Sequence, residues 1–301
     1  FGKLLAGFFS IAIIVALGFM GNMVQSNSIS DAFGTAFGTP PLVVGIVVAL
    51  MAAVIFWGGK GRIAAATEKI VPVMALFYVL GGAVVLAMNA RQIPVAFEQI
   101  FVMAFHPQSM LGGAIGVTVQ KAVRYGVARG LFSNEAGMGS TPHAHALAKV
   151  QHPCEQGVVA MIGVFIDTFI ILTMTTLVIL TTGALGSGET GAALAQNAFG
   201  LAFGRFGSVF IAICMLFFAF STILGWYFFG EVNVKYLFGK KAVKIYSVLV
   251  LLFIVAGSLM KVQMVWNLSD LFNGLMVIPN LFAVLALAGV VSQKYREYRA
   301  K

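Results

Sequence analysis

Charge is what this sequence has least of: Asp, Glu, Lys and Arg make up 10% of its 301 residues, and only 10 residues are acidic. A chain with so little polar surface is not a water-soluble enzyme or binding module. Cysteine is almost absent too. Cys154 and Cys214 stand alone in different surroundings, which excludes a disulfide framework, and His143 and His145 lie two apart without a third ligand, which argues against a metal site. Gly137-Met138-Gly139-Ser140 lacks the lysine of a phosphate-binding loop. The net charge of +9 comes without a basic stripe interleaved with aromatics, so a nucleic-acid partner is not indicated. No catalytic constellation is visible, and the chain reads as a non-enzyme. Low-complexity segments, tandem repeats and a linker between two cores are all missing, which makes residues 1–301 one domain. The chain opens on Phe1 without a signal-peptide pattern and is expected to be incomplete at its N-terminus.

What is present is apolar: 60% hydrophobic residues, 27 Phe, 34 Gly and a mean hydropathy of +0.97. This composition predicts an all-α integral membrane protein, because a helix of about 20 apolar residues satisfies its own backbone while crossing the hydrocarbon core. Eight spans meet the criterion, near Leu4–Gln25, Leu42–Trp57, Ile70–Met88, Met110–Gly130, Val158–Thr182, Phe206–Gly230, Val243–Met260 and Val262–Val291. Pro279 is expected to kink the last one or split it. With the N-terminus inside, all of the 19 Lys and Arg residues except Arg91, Arg205 and Lys261 fall at cytoplasmic ends, a bias that an odd number of spans would destroy. The C-terminus is then cytoplasmic. Between spans, Ser26–Pro41 reads as a polar external loop, Asn89–Pro107 as a short interfacial helix, and Gly183–Phe206 as a second amphipathic stretch.

Ionisable and amide groups at membrane depth are costly, and each is a functional candidate. Asp167, beside Thr168 in mid-span, requires a cation, a proton or a hydrogen-bonding neighbour. Ser221 and Thr222 lie one turn before Trp226, where two hydroxyls suit a hard cation and the indole can wall an organic substrate; back-bonding to the residue i−4 carbonyl is the alternative. Gly18, Asn22 and Gln25 form a polar stripe on the first span. Gly112, Gly113 and Gly116 interrupt the fourth, either as the break of a discontinuous helix or as a packing triplet. The polar stretch Ala128–Pro142 that follows is glycine-rich and charged in the midst of apolar runs.

That stretch carries a resemblance. Arg129 to Ala146 (RGLFSNEAGMGSTPHAHA) closely resembles the signature of the alanine or glycine:cation symporter family, the sodium:alanine symporters. Gly21–Ser28, Val164–Thr168 and Asn273–Asn280 are similar to family segments in the same order, so the resemblance covers essentially the whole chain. It implies a leucine-transporter-like five-plus-five inverted repeat with an incomplete first repeat. It also implies sodium-coupled import of a small neutral amino acid, alanine or glycine, by a monomeric unit in the plasma membrane. No cofactor beyond the coupling sodium ion is implied. On this reading Gly112, Gly113, Gly116, Gln25 and Trp226 line the amino-acid pocket, and Ser221, Thr222, Asp167 and Thr168 supply sodium ligands. Arg124, Arg129, Asn134 and Glu135 form a gate at the cytoplasmic end. A proton-coupled carrier or exchanger is the alternative, and a gated channel would need a ring of repeated pore-lining groups.

Overall fold

The computed structural model describes residues 2–105 and 115–300, and among them every regular element is helical. We number the helices α1 (Gly2–Phe37), α2 (Pro41–Phe56), α3 (Gly59–Met88), α4 (Ile93–Phe105), α5 (Ile115–Asn134), α6 (Pro153–Thr181), α7 (Gly191–Phe203), α8 (Arg205–Phe238), α9 (Ala242–Leu259) and α10 (Val262–Arg299). Six of these, α1, α3, α6, α8, α9 and α10, are long and apolar enough to cross a bilayer; α2 is apolar but shorter. The chain is therefore an all-helical protein with the makings of a multi-pass membrane bundle.

Helix boundaries follow local chemistry. Pro41 and Pro153 open α2 and α6 at positions whose N–H would have no intrahelical partner. Gly38, at φ 66°, ends α1 in the left-handed region that glycine enters without steric cost. α10 runs through Pro279 as one helix, so of the two outcomes open for the last span the split does not occur.

The expected loop at Ser26–Pro41 is also corrected, because α1 continues as helix to Phe37. Ser26 donates to the Ile254 carbonyl at 2.7 Å, and Asn27 donates to the carbonyls of Gly257 and Met260 at 3.0 and 2.7 Å. These side chains tie α1 to α9. Lipid tails are as apolar as leucine, so helices in a membrane associate through close packing and interhelical hydrogen bonds, and a polar composition here marks a contact face. Gly257 completes the joint: a Cβ there would lie 2.5 Å from the Met23 Cα and 2.7 Å from its carbonyl oxygen.

α8 is the central post, packed against α1, α3, α7 and α9. On one side Tyr227 stacks between Phe56 and Tyr246, and its hydroxyl pairs with Ser247 at 2.7 Å. On another, Phe199 and Phe210 close a second cluster with Tyr78 and Val178. The amphipathic stretch after α6 is α7, which docks through buried Gln196; its amide donates to the carbonyls of Ala32 and Ser208 at 2.9 and 3.0 Å. Two spans widen locally into π-helical turns, Ile14–Gly21 in α1 and Ile166–Leu172 in α6. Such turns recur at functional sites, and both adjoin the region described next.

Candidate functional site

α5 stops abruptly at Asn134. Glu135 follows at φ 49°, the one described non-glycine residue with positive φ, and Gly137 and Gly139 continue at 71° and 78°. A left-handed non-glycine backbone costs on the order of 1–2 kcal/mol, and such strain persists only where surrounding contacts impose it. Those contacts are visible. The Glu135 carboxylate accepts from Trp226 Nε1 through one oxygen and from Ser140 Oγ through the other. Ser140 and Met138 are fully buried, and Asn280 of α10 donates to the Gly137 carbonyl at 2.8 Å. After the break the chain resumes helical form for a single turn, Pro142–His145.

Trp226 is fixed from three sides. Gly21 in α1 leaves room for the indole, since a Cβ there would come within 2.5 Å of it. Phe132 meets it edge-on at 5.3 Å, and Glu135 takes its N–H. Phe132 also touches Trp266 at 4.9 Å, so aromatic rings form a continuous column from α10 to α8. At the Trp266 end, Arg129 lies over the indole at 4.0 Å and pairs with both carboxylate oxygens of Asp270 at 2.5 Å. At the other end, the Ser140 carbonyl accepts from His143 Nδ1, whose Nε2 faces the Asn233 amide at 3.0 Å.

Glu135 lies in the turn between helices, and burial holds its carboxyl above the usual carboxylate range; the hydrogen bonds from Ser140 and Trp226 pull the other way. The two donors match an ionised carboxylate, and the low-dielectric surroundings oppose it. This is a balance that a nearby charge could tip.

A second polar group joins α5 to the π-helical turn of α6. Ser133 donates to Asp167 at 2.6 Å, and Thr168 donates to Asn134 Oδ1 at 3.1 Å. Two oxygen-bearing pairs thus tie α5 to this turn, and side-chain oxygen is the donor type that a hard cation takes. Among the described residues no cluster of His, Cys, Asp and Glu suited to a transition metal is found.

The remaining sequence candidates are spread out. Ser221 and Thr222 both donate to the Phe218 carbonyl, at 2.9 Å each; Ser221 also faces Met74 of α3, away from the Glu135 side that Trp226 addresses. Gln25 is half-buried on α1 and Arg124 is exposed on α5. Gly116 falls in the first turn of α5, whereas Gly112 and Gly113 lie outside the described residues. The irregular backbone seen here is at Glu135–Ser140, and it brings Glu135, expected at a gate, against Trp226, expected in the pocket. Sequence reasoning passed over Asp270, Trp266, Ser140 and Ser133. Asp270 carried a usable signal: it is the single acidic residue in the apolar run Val262–Val291.

Residues 2–301 match the family described as the sodium:alanine symporter family. The chain is 41% identical over 301 residues to a protein of Methanococcus maripaludis named sodium/alanine symporter AgcS, covering 99% of this chain and 65% of that one. It is 41% identical to a protein of Bacillus subtilis named probable sodium/glutamine symporter GlnT, covering 96% and 60%. A third relative, from Bacillus sp. (strain PS3), is named a sodium/proton-dependent alanine carrier protein and is 37% identical, covering 95% and 68%. The chain thus spans roughly two thirds of the length of these relatives.

Proposed function

Because this chain belongs to the sodium:alanine symporter family, we propose that it forms the greater part of a sodium-coupled carrier that imports a small neutral amino acid across the plasma membrane by alternating access. The observation that carries this reading is the left-handed break at Glu135 directly after α5, half-buried and bonded to Trp226 of the central helix α8. Carriers place substrate and ions at breaks between helices, where backbone polar groups are freed from the helical ladder. Amino-acid transport is the common element in the names of the three relatives; alanine is named in two and glutamine in one.

On this reading the arrangement is a leucine-transporter-like inverted repeat with eight spans in this chain, α2 and α5 completing the count. The Glu135–Ser140 segment, Trp226 and Gln25 face the amino acid. Ser133, Asn134, Asp167 and Thr168 hold sodium, and Ser221 and Thr222 contribute a second ion site. Sodium must favour the conformation in which the amino acid binds, and by reciprocity the amino acid must raise sodium affinity. Threading the N-terminus inside puts the C-terminal Lys294–Lys301 cluster in the cytoplasm, as the positive-inside rule requires.

Radiolabelled alanine uptake by the full-length transporter in proteoliposomes, with sodium present or replaced by choline, is the test. The expected result is uptake that collapses without sodium and saturates with alanine. Unchanged uptake without sodium would replace this reading with a proton-coupled carrier or an exchanger, and flux without saturable counterflow would replace it with a channel.

A further inference from the structure

Four helix ends meet at one corner of the bundle: α2 stops at Phe56, α3 starts at Gly59, α8 stops at Phe238 and α9 starts at Ala242. Phe56, Ile63, Val234 and Tyr246 belong to one buried cluster, and Glu231 of α8 lies within electrostatic reach of both Lys60 and Lys235, so the α2–α3 and α8–α9 turns are neighbours. Residues 57–69 and 231–245 carry seven basic side chains against two acidic ones, more than half of the net charge of the chain. The positive-inside rule accounts for the side on which they lie, but not for their partners. Arg62 donates to the Val54 carbonyl at 2.7 Å and Lys235 sits in the last turn of α8, so these two answer the negative ends of α2 and α8. Lys60, Lys240, Lys241 and Lys244 are exposed, and among the described residues none of them is in an ion pair. α3 and α9 also begin without a capping side chain and without an acidic residue in the first turn, which leaves two positive helix ends unanswered. Away from the turns, Val47, Leu50 and Val54 on α2 and Ile245, Val248 and Leu252 on α9 are exposed at helical spacing, each stripe ending at this corner. Trp57, 74% exposed, stands where the first stripe meets the lysines.

We infer that this corner holds the headgroup of an anionic phospholipid of the cytoplasmic leaflet, its phosphate among Lys60, Lys240, Lys241 and Lys244 and its acyl chains along the exposed stripes of α2 and α9. The inference is independent of which solute the protein moves. A phosphate brings negative charge and acceptor oxygens to the lysines and to both helix starts together. A nucleic acid or an acidic protein would match the charge but leave the apolar stripes uncovered, whereas a phospholipid covers both. Trp57 carries the amphipathic ring that settles at headgroup level. Each lysine close to an anionic membrane surface contributes about fivefold in affinity. The basic cluster at the C-terminus differs, because Lys294 is already paired with Glu297 at 2.7 Å.

The full-length protein is reconstituted in phosphatidylcholine vesicles that contain either brominated phosphatidylglycerol or brominated phosphatidylcholine, and quenching of Trp57 is read in each background as the fluorescence difference from Trp57→Phe. Expected is stronger quenching by the brominated phosphatidylglycerol. That preference falls about fivefold in Lys241→Gln, disappears in the K240Q/K241Q/K244Q triple variant, survives in Lys241→Arg and is unchanged in Lys294→Gln. Equal quenching by the two lipids in the wild type overturns the inference. So does a preference that the triple variant retains, or one that K294Q lowers as much as K241Q, since either result describes diffuse attraction to the membrane surface. A preference abolished by polyglutamate added to inside-out vesicles also overturns it and reassigns the corner to an acidic protein.

Discussion

Replacing Trp226 with Phe keeps an aromatic ring between Gly21 and Phe132 but deletes the Nε1–H that Glu135 accepts. Indole nitrogen is a donor only, and the Glu135 carboxylate has one further described donor, Ser140. The variant leaves one buried carboxylate oxygen without a partner, and a hydrogen bond to a charged group is worth about 1.5–3 kcal/mol. If the bond holds the α5 break in its transport-competent shape, kcat/KM for alanine falls by roughly 10- to 100-fold. Packing contributes as well, since phenylalanine is smaller than tryptophan, so the single variant cannot by itself assign the loss to the hydrogen bond. The cycle with Glu135→Ala does, because that variant removes both oxygens that accept from Trp226 Nε1 and Ser140 Oγ. The double variant should lose less than the sum of the two single losses, with an interaction energy of about 1–2 kcal/mol, in the range for directly bonded neighbours. Initial rates of sodium-driven alanine uptake by the full-length protein, normalised to folded carrier by size-exclusion chromatography, supply all four corners. Additive losses would refute the claim that Glu135 and Trp226 act as a unit.

The same carboxyl predicts a pH response. Its raised pKa means that the folded protein holds the Glu135 proton more tightly than the unfolded chain, so this group's stabilising contribution is present at low pH and is lost as pH rises through the folded value. Thermal unfolding across pH should therefore show a slope of that sign that is absent in E135Q, and a slope retained in E135Q would assign it to another group. At the oxygen cluster of α5 and α6, Asp167→Asn and Ser133→Ala are expected to raise the sodium concentration for half-maximal uptake about tenfold, with a smaller shift for Thr222→Ala, whose hydroxyl is engaged with its own helix. Equal shifts in all three would remove the distinction between the two proposed ion sites. Gly257→Ala should lower Tm by several degrees, since its new methyl collides with Met23 backbone and overpacking costs about 1–3 kcal/mol. Gly163→Ala on α6, where a Cβ meets nothing within 4 Å, is the matched control and should be neutral.

The sequence by itself determined the class of this protein. A chain with so few charges and so many apolar runs has to hydrogen-bond its backbone internally, and uninterrupted helices follow; α3, α6, α8, α9 and α10 all contain or overlap an expected span. The family was legible in Arg129–Ala146 because glycines, a proline and charged residues at fixed positions among apolar runs are rare enough to be distinctive. What periodicity could not supply was the partner of each polar group. Ser26 and Asn27 looked like loop residues because composition records polarity and not the carbonyls of α9 that receive their hydrogen bonds. Ser221 and Trp226 looked like one face, yet they are five residues apart, enough turn for one to meet Met74 and the other Glu135. Likewise Arg129 and Asp270 are separated by 141 positions and Glu135 and Trp226 by 91, and no local signal links them. Only the packing of α5 and the turn after it against α8 and α10 brought these groups within bonding distance, because partners this far apart in sequence are supplied by tertiary contact and not by local spacing.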